Sequence, residues 1–354
     1  MEVVNSMRPV AIAFGLSASS ILMGGCREGA PADHDGHVQS AFVVVYAALD
    51  RGFSEPILAE FTRQTGIDVR PRYDTESTKT VGLTNRIRAE KDRPRCDVFW
   101  NNEIVNTLRL KQEGLLERCD PSEAANYPAE FRDTEGYWYG FAARARVLIV
   151  NIEMVAEAER PTSIYDLARP EFRGRVGIAK PLFGTTASHV ACLFVSLGEE
   201  PAKAFLAGLK ANDVRILGGN KGCATDVSAG RLAFALTDTD DAIIEVEAGR
   251  PVTIVYPDSG ADQIGTLLIP NTLALVKGGP NPEGGRKLIE YLLSPGVEEA
   301  LADGPSAQIP LNRRSKVSPR VCDPKRMKTM KVDFAAAAEA FERATDYVSR
   351  DFLD

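Results

Sequence analysis

From Phe42 onward the chain alternates short β-branched runs with segments of helical spacing. That alternation limits the fold more than any other feature. "AFVVVYAAL" reads as a strand, and "SEPILAEFTRQTG" as a helix with Ser54 as cap and Gly66 as stop. "IDVRPRY" is a second strand, followed by "DTESTKTVGLTNRIRAEK", a helix entered through Ser77 and Thr78. "CDVFW" is a third strand, and "NNEIVNTLRLKQEG" a helix closed by Gly114. A βαβαβα order predicts a parallel sheet with helices on its faces.

A turn-rich aromatic stretch, "YPAEFRDTEGYWYGFAAR", separates this unit from a second one. There "ARVLIVN", "RVGIAK", "VRIL", "LAFAL" and "VTIVYP" read as strands, and "TASHVACLFVSLG" and "EPAKAFLAGLKAN" as helices. "GTLLIPNTLALVKG" is a long strand-like stretch that recrosses between the units. "PEGGRKLIEYLLSPGVEEALADG" is a helix pair or a broken helix, and "VDFAAAAEAFERATDYVSRDF" is an alanine-rich helix. No low-complexity linker joins the two α/β units, so they are expected to be a hinged pair.

The first 41 residues have a different character. "MRPVAIAFGLSASSILMGGC" places one arginine before a mostly apolar run that ends in Gly24-Gly25-Cys26. This reads as a secretory signal over residues 1–25, with Met1 or Met7 as initiator. The polar segment 26–41 reads as a flexible tether, and its His34 and His37 as solvated. With a net charge of −7 and no basic run, nucleic acid is not an expected partner. Cys96, Cys119, Cys192, Cys223 and Cys322 show no CxxC spacing, which disfavours a zinc site. They are either free and buried or paired in a disulfide, with Cys96 and Cys119 nearest in sequence.

Five stretches, in order, resemble one family: "FTRQTGIDVRPRYDTESTKT", "CDVFWNNEIVNTLRLKQEGLL", "YGFAARARVLIVN", "KPLFGTTASHV" and "RKLIEYLLSPGVEEALADG". The chain is similar over about residues 42–312 to bacterial ABC-transporter substrate-binding proteins of the ferric-iron-binding type. Gly24-Gly25-Cys26 likewise resembles a lipoprotein box, with Cys26 the lipidated residue. The resemblance implies an α/β, two-lobed type II periplasmic-binding-protein fold with hinge strands between the lobes. Lobe 1 would be 42–141 plus 266–315, lobe 2 would be 142–265, and the helical segment 316–354 would pack on lobe 2. It also implies a monomeric extracytoplasmic receptor, anchored to the membrane by lipid, that delivers its cargo to an ABC permease. The cargo would be ferric iron or another oxygen-liganded metal, with or without a synergistic anion. A small organic solute is the alternative: a phosphonate, a sugar phosphate or a cationic amine. Relatives grip iron with two adjacent tyrosines; the matching stretch here, "LTDTDDA", has none.

Independently of any family, open α/β sheets bind ligands beyond the carboxyl ends of their strands. Those ends supply the candidates: Tyr46 and Asp50; Glu76, Ser77, Thr78 and Lys79; Trp100, Asn101, Asn102 and Glu103; Gly184, Thr185, Thr186 and His189; and Asn220. Ser77, Thr78, Thr185 and Thr186 are equally good helix caps, and His189 and Trp100 equally good core residues. Gly184-Thr185-Thr186 is the best anion site, because glycine lets free N–H groups approach a ligand. Arg144 and Arg146, two apart on a strand, face one way, toward an anion or a cross-sheet salt bridge. One cap explains Asp238 or Thr239, but the three carboxylates Asp238, Asp240 and Asp241 repel one another, which a bound cation, an ammonium group or an arginine from the other lobe would offset. The three aspartates are the metal candidates, with no resident cofactor expected. No nucleophile elbow, P-loop or GxGxxG is present, which argues against an enzyme.

Overall fold

One strand, β5 (Tyr139–Asn151), runs through the whole architecture, and all 13 of its residues are buried. The computed structural model describes residues 42–74, 80–321 and 327–354. The signal, the tether, Cys26, the candidates Glu76, Ser77, Thr78 and Lys79, and Cys322 lie outside the described residues. The first half of β5 pairs antiparallel with β10 (Leu268–Val276). The second half pairs antiparallel with β8 (Phe234–Asp238) and β9 (Val252–Val255).

Beyond β10 come β3 (Val98–Asn101), β1 (Phe42–Ala47) and the edge strand β2 (Asp68–Tyr73). The last three are mutually parallel, as the βαβαβα reading requires. Beyond β8 come β6 (Val176–Ala179) and β7 (Arg215–Leu217), again parallel. The short β4 (Leu116–Glu117) pairs with the far end of β10. The sheet is therefore two halves joined through β5 and flanked by β10, which is the basis of the two lobes.

Strand alternation assigns the core to two faces. Val43 and Val45 pack with α1 (Arg51–Thr65), α8 (Pro282–Leu292) and α9 (Pro295–Asp303). Val44 and Tyr46 pack with α2 (Val81–Ala89) and α3 (Val105–Gln112), in a cluster that extends to α4 (Gly184–Ser196), α5 (Glu199–Ala211) and α10 (Phe334–Tyr347). Gly66 stops α1 as expected, at φ 73°, but the N-cap is Asp50; Ser54 lies inside the helix and donates to the Asp50 carbonyl at 3.0 Å. The helix α6 (Asn220–Ser228) has no counterpart in the periodicity reading, because "NKGCATDVS" is small and polar with a weak apolar stripe. Cys96, Cys119, Cys192 and Cys223 are buried free thiols.

Among the described residues, three segments pass between the halves. The first is β5 near Ala142 and the second is β10, whose register shifts between Ile269 and Asn271. The third is the chain around Ala307–Ile309, bridged to Ala143. Ala142 and Ala307 both hold positive φ, 42° and 44°, which costs an L-residue free energy. Asn271 Nδ2 ties the three together by donating to the Ala142 carbonyl and to Gln308 Oε1. The C-terminal helix α10 packs on α4 and also on α3 across the molecule. There Glu342 meets Arg109 at 2.8 Å, and the Arg109 guanidinium sits 4.7 Å from the Phe341 ring centre.

Candidate functional site

The parallel strands of both halves end at one small cavity of about 30 Å³. Asp50 follows β1 and Asn102 follows β3, from the first half. Lys180 and Gly184–Thr186 follow β6, Gly218–Asn220 follow β7, and Asp238, Asp240 and Asp241 surround the end of β8. Arg144 enters from β5. A groove of about 750 Å³ beside the C-terminal segment is larger, but Phe131, Pro310, Met330 and Phe334 give it an apolar wall and its charges are scattered. Chemistry, and not size, selects the small cavity.

Three helix starts converge there: α4 at Gly184, α6 at Asn220 and α7 (Thr239–Glu247) behind Asp238. Helix N-termini carry partial positive charge and favour carboxylates nearby. Two buried guanidiniums add full charges. Arg146 Nη1 donates to Asp238 Oδ1 at 2.7 Å, to Asn220 Oδ1 at 3.0 Å and to Thr185 Oγ1 at 3.2 Å; Nη2 donates to Thr186 Oγ1 at 3.2 Å. Asp238 Oδ2 accepts from Thr185 Oγ1 at 2.7 Å and from Asn220 Nδ2 at 3.0 Å. Arg144 lies 3.6 Å from Asp240 and 4.0 Å from Asp238, and donates to the Asn102 carbonyl of the other half.

This network accounts for the dense negative charge of "TDTDD". Burial alone would raise the Asp238 pKa, but Arg146 and Arg144 outweigh it and hold the carboxyl below its ordinary value. Burial likewise opposes the charge on Arg144, yet Asp240, Asp238, Asp241 and Asp50 raise it above its usual range. Asp238 is the N-cap residue of α7 but makes no side-chain cap bond; its oxygens serve the arginine instead. One oxygen from each of Asp238, Asp240 and Asp241 can be chosen so that all lie within 4.8 Å of one another. Such a cluster of hard oxygen donors suits a hard cation. The described lining contains no tyrosine.

Of the residues named from sequence, Asp50, Asn102, Arg144, Gly184, Thr185, Thr186, Asn220, Asp238, Asp240 and Asp241 line the cavity together. Asn101, Glu103 and His189 do not, which corrects their assignment. Asn101 ends β3 and Glu103 follows in the bend before α3, and both are fully buried. There Asn101 Nδ2 donates to Glu103 Oε1 at 2.7 Å. Glu103 also caps α3, accepting from the Val105 N–H at 2.6 Å, and accepts from Ser188 Oγ at 2.7 Å. His189 is buried below the first turn of α4; burial first, then the Arg146 charge, push its pKa down to about 3, so it stays neutral. Tyr46 donates to Glu90 at 2.7 Å, and Trp100 packs on Phe141 in the core. The reading missed Ala179, Lys180, Phe183, Gly218 and Gly219. Lys180 was open to the strand-end rule that found its neighbours.

Residues 105–338 match the family model described as bacterial extracellular solute-binding protein. The iron uptake protein A1 of Synechocystis sp. is 29% identical over 322 residues, 86% of this chain and 87% of that protein. An Fe(3+)-binding periplasmic protein of Serratia marcescens is 29% identical over 209 residues, 59% of this chain and 57% of that protein. Among solved structures, iron-bound HitA from Pseudomonas aeruginosa superposes with a TM-score of 0.78 at 25% identity, over 87% of this chain and 99% of that one.

Proposed function

Because the chain belongs to the bacterial extracellular solute-binding proteins, we propose that it is the periplasmic receptor of an ABC importer and that its cargo is ferric iron or another oxygen-liganded metal. The observation that carries this reading is the triad of carboxylate oxygens within 4.8 Å of one another, in a cavity walled by both halves of the sheet. The names of the relatives point the same way. The cavity, about 30 Å³ with the halves as they stand, is lined by carboxylates, a guanidinium and helix starts, a donor set that suits a metal ion with a small anion beside it.

In this reading Asp240 and Asp241 are the principal ligands, and Asp238 is held in place by Arg146, Thr185 and Asn220. Arg144 and the start of α4 offer positive charge beside the metal, where a small synergistic anion would sit. Asp50 and Asn102 complete the wall when the halves close. The protein acts by binding and release; no group is assigned to catalysis. Cys26 carries the lipid anchor, and the receptor works as a monomer beside its permease.

Thermal melting with a ligand panel tests the cargo, because a ligand that binds only the native state raises the midpoint. Fe(III) citrate is expected to raise it, and Asp240→Asn with Asp241→Asn to abolish the rise while the cargo-free protein stays folded. A rise with an aminoalkyl phosphonate and none with Fe(III) would favour the second reading. That reading draws on Arg144 and Lys180 facing the aspartates, as a zwitterion requires.

A further inference from the structure

We propose that the first half of the molecule carries a docking surface for anionic phospholipid, at the end of the sheet opposite the cargo cavity. This rests on the anchored-receptor reading, with the surface acting beside the lipid on Cys26. Arg70 and Arg72 project from the exposed edge strand β2, and Arg93 and Arg95 from the loop before β3. All four line one groove of about 660 Å³ with Phe42 and Val44. An adjoining groove of about 480 Å³ shares Pro94 and adds Lys91 and Lys277.

The charge is poorly neutralised. Among the described residues of this group only Arg70 is held in an ion pair, with Asp68 at 3.0 Å. Asp92 is the one carboxylate that lines either groove. In a chain of net charge −7, six cations here are a local reversal of sign. Pro71, Pro94 and Pro280 stiffen the rim, and the Arg70 guanidinium stacks 3.4 Å from the Phe42 ring centre. A rigid, cationic surface complements a layer of phosphates.

Two observations favour a bilayer over a protein partner. Phe42, which lines the groove, is the residue at which segment 26–41 joins the sheet. Phe42 follows Cys26 by 16 residues, so an acyl group on Cys26 would tether the chain to headgroups close to the groove's own first residue. Phe42, Arg93 and Arg95 of the groove lie at the amino ends of β1 and β3, and Arg70 and Arg72 along the open edge of β2, whereas Asp50 and Asn102 follow the carboxyl ends of β1 and β3.

The test partitions the full-length secreted protein between neutral phosphatidylcholine vesicles and vesicles with phosphatidylglycerol. An anchor contributes to both, so the ratio isolates the arginines. Each cation near an anionic surface contributes about fivefold. Arg72→Gln, Arg93→Gln and Arg95→Gln together are therefore expected to lower the preference for phosphatidylglycerol about a hundredfold. High salt should lower it in the wild type, and Fe(III) binding and melting should stay unchanged. Equal partitioning of the wild type, or a triple variant that keeps the preference, overturns the proposal. So does a wild type that ignores phosphatidylglycerol yet binds an acidic peptide through these arginines. If Cys26 carries no lipid, binding to neutral vesicles disappears while the preference remains, so the two readings fail separately.

Discussion

Arg146 and Asp238 are the most consequential pair in the chain. Both are buried, and their 2.7 Å contact is embedded in bonds to Thr185, Thr186 and Asn220. Removing one partner leaves the other charge uncompensated, which costs about 3–5 kcal/mol. Arg146→Met should lower stability by that amount in urea titrations, whereas Asp240→Asn with Asp241→Asn, which leaves Arg144 with Asp238 at 4.0 Å, should lower stability by less and abolish cargo binding. Sequence reading recognised the aspartates as a cluster but left Arg144 and Arg146 open between an anion and a salt bridge. Their partners lie on β8 and α7, more than 90 residues away in the chain, as the 92-residue separation of Arg146 from Asp238 shows. Asn102 could be separated from Asn101 and Glu103 only once the bend that follows β3 was placed.

At the scale of elements, the hinge is where the chain departs from ordinary backbone geometry. Ala307 at φ 44° sits where glycine would rest without strain. Ala307→Gly is expected to be neutral or to stabilise by up to about 1 kcal/mol, against a loss of about that size at an ordinary helical alanine. Chemical denaturation distinguishes the signs. Glu298 of α9 clasps two of the crossings, accepting from the Ala142 N–H at 2.6 Å, the Leu311 N–H at 3.0 Å and the Asn312 N–H at 2.5 Å. Burial pushes its pKa up to about 7 in spite of those donors. Tyr127 and Glu123 stand nearby, each bonded within the same loop cluster. Because the folded value lies above the unfolded one, near 4.3, the folded state binds the extra proton between them. The contribution of Glu298 is full below about pH 4.3 and is lost as pH rises to about 7. Glu298→Gln should flatten that decline in melting temperature. The alternation of strands and helices was legible because their apolar periods differ. The double attachment of α10 was not, since its apolar face does not reveal that α3 and α4 share it.

For the whole molecule, the walls of one cavity come from both halves, so cargo and closure are linked. Small-angle scattering should show a smaller radius of gyration with Fe(III) bound than without it. Arg109→Ala, which removes the contact of α3 with Glu342 and Phe341, should move the cargo-free value toward a more open average. The overall design was legible from the absence of a linker and from the recrossing strand. What was not legible was how closely three crossings are tied, because Asn271, Gln308 and Ala142 meet only after folding.

The placement of β10 has a consequence for how the protein is made. It fills the gap between β3 and β5, and Thr272 donates to the Glu103 carbonyl 169 residues upstream. A growing polypeptide thus completes every strand of its second half while β3 still shows a bare flank. The early half must wait, half-zipped, for a latecomer, and in that interval it is the part most in need of a chaperone's cover.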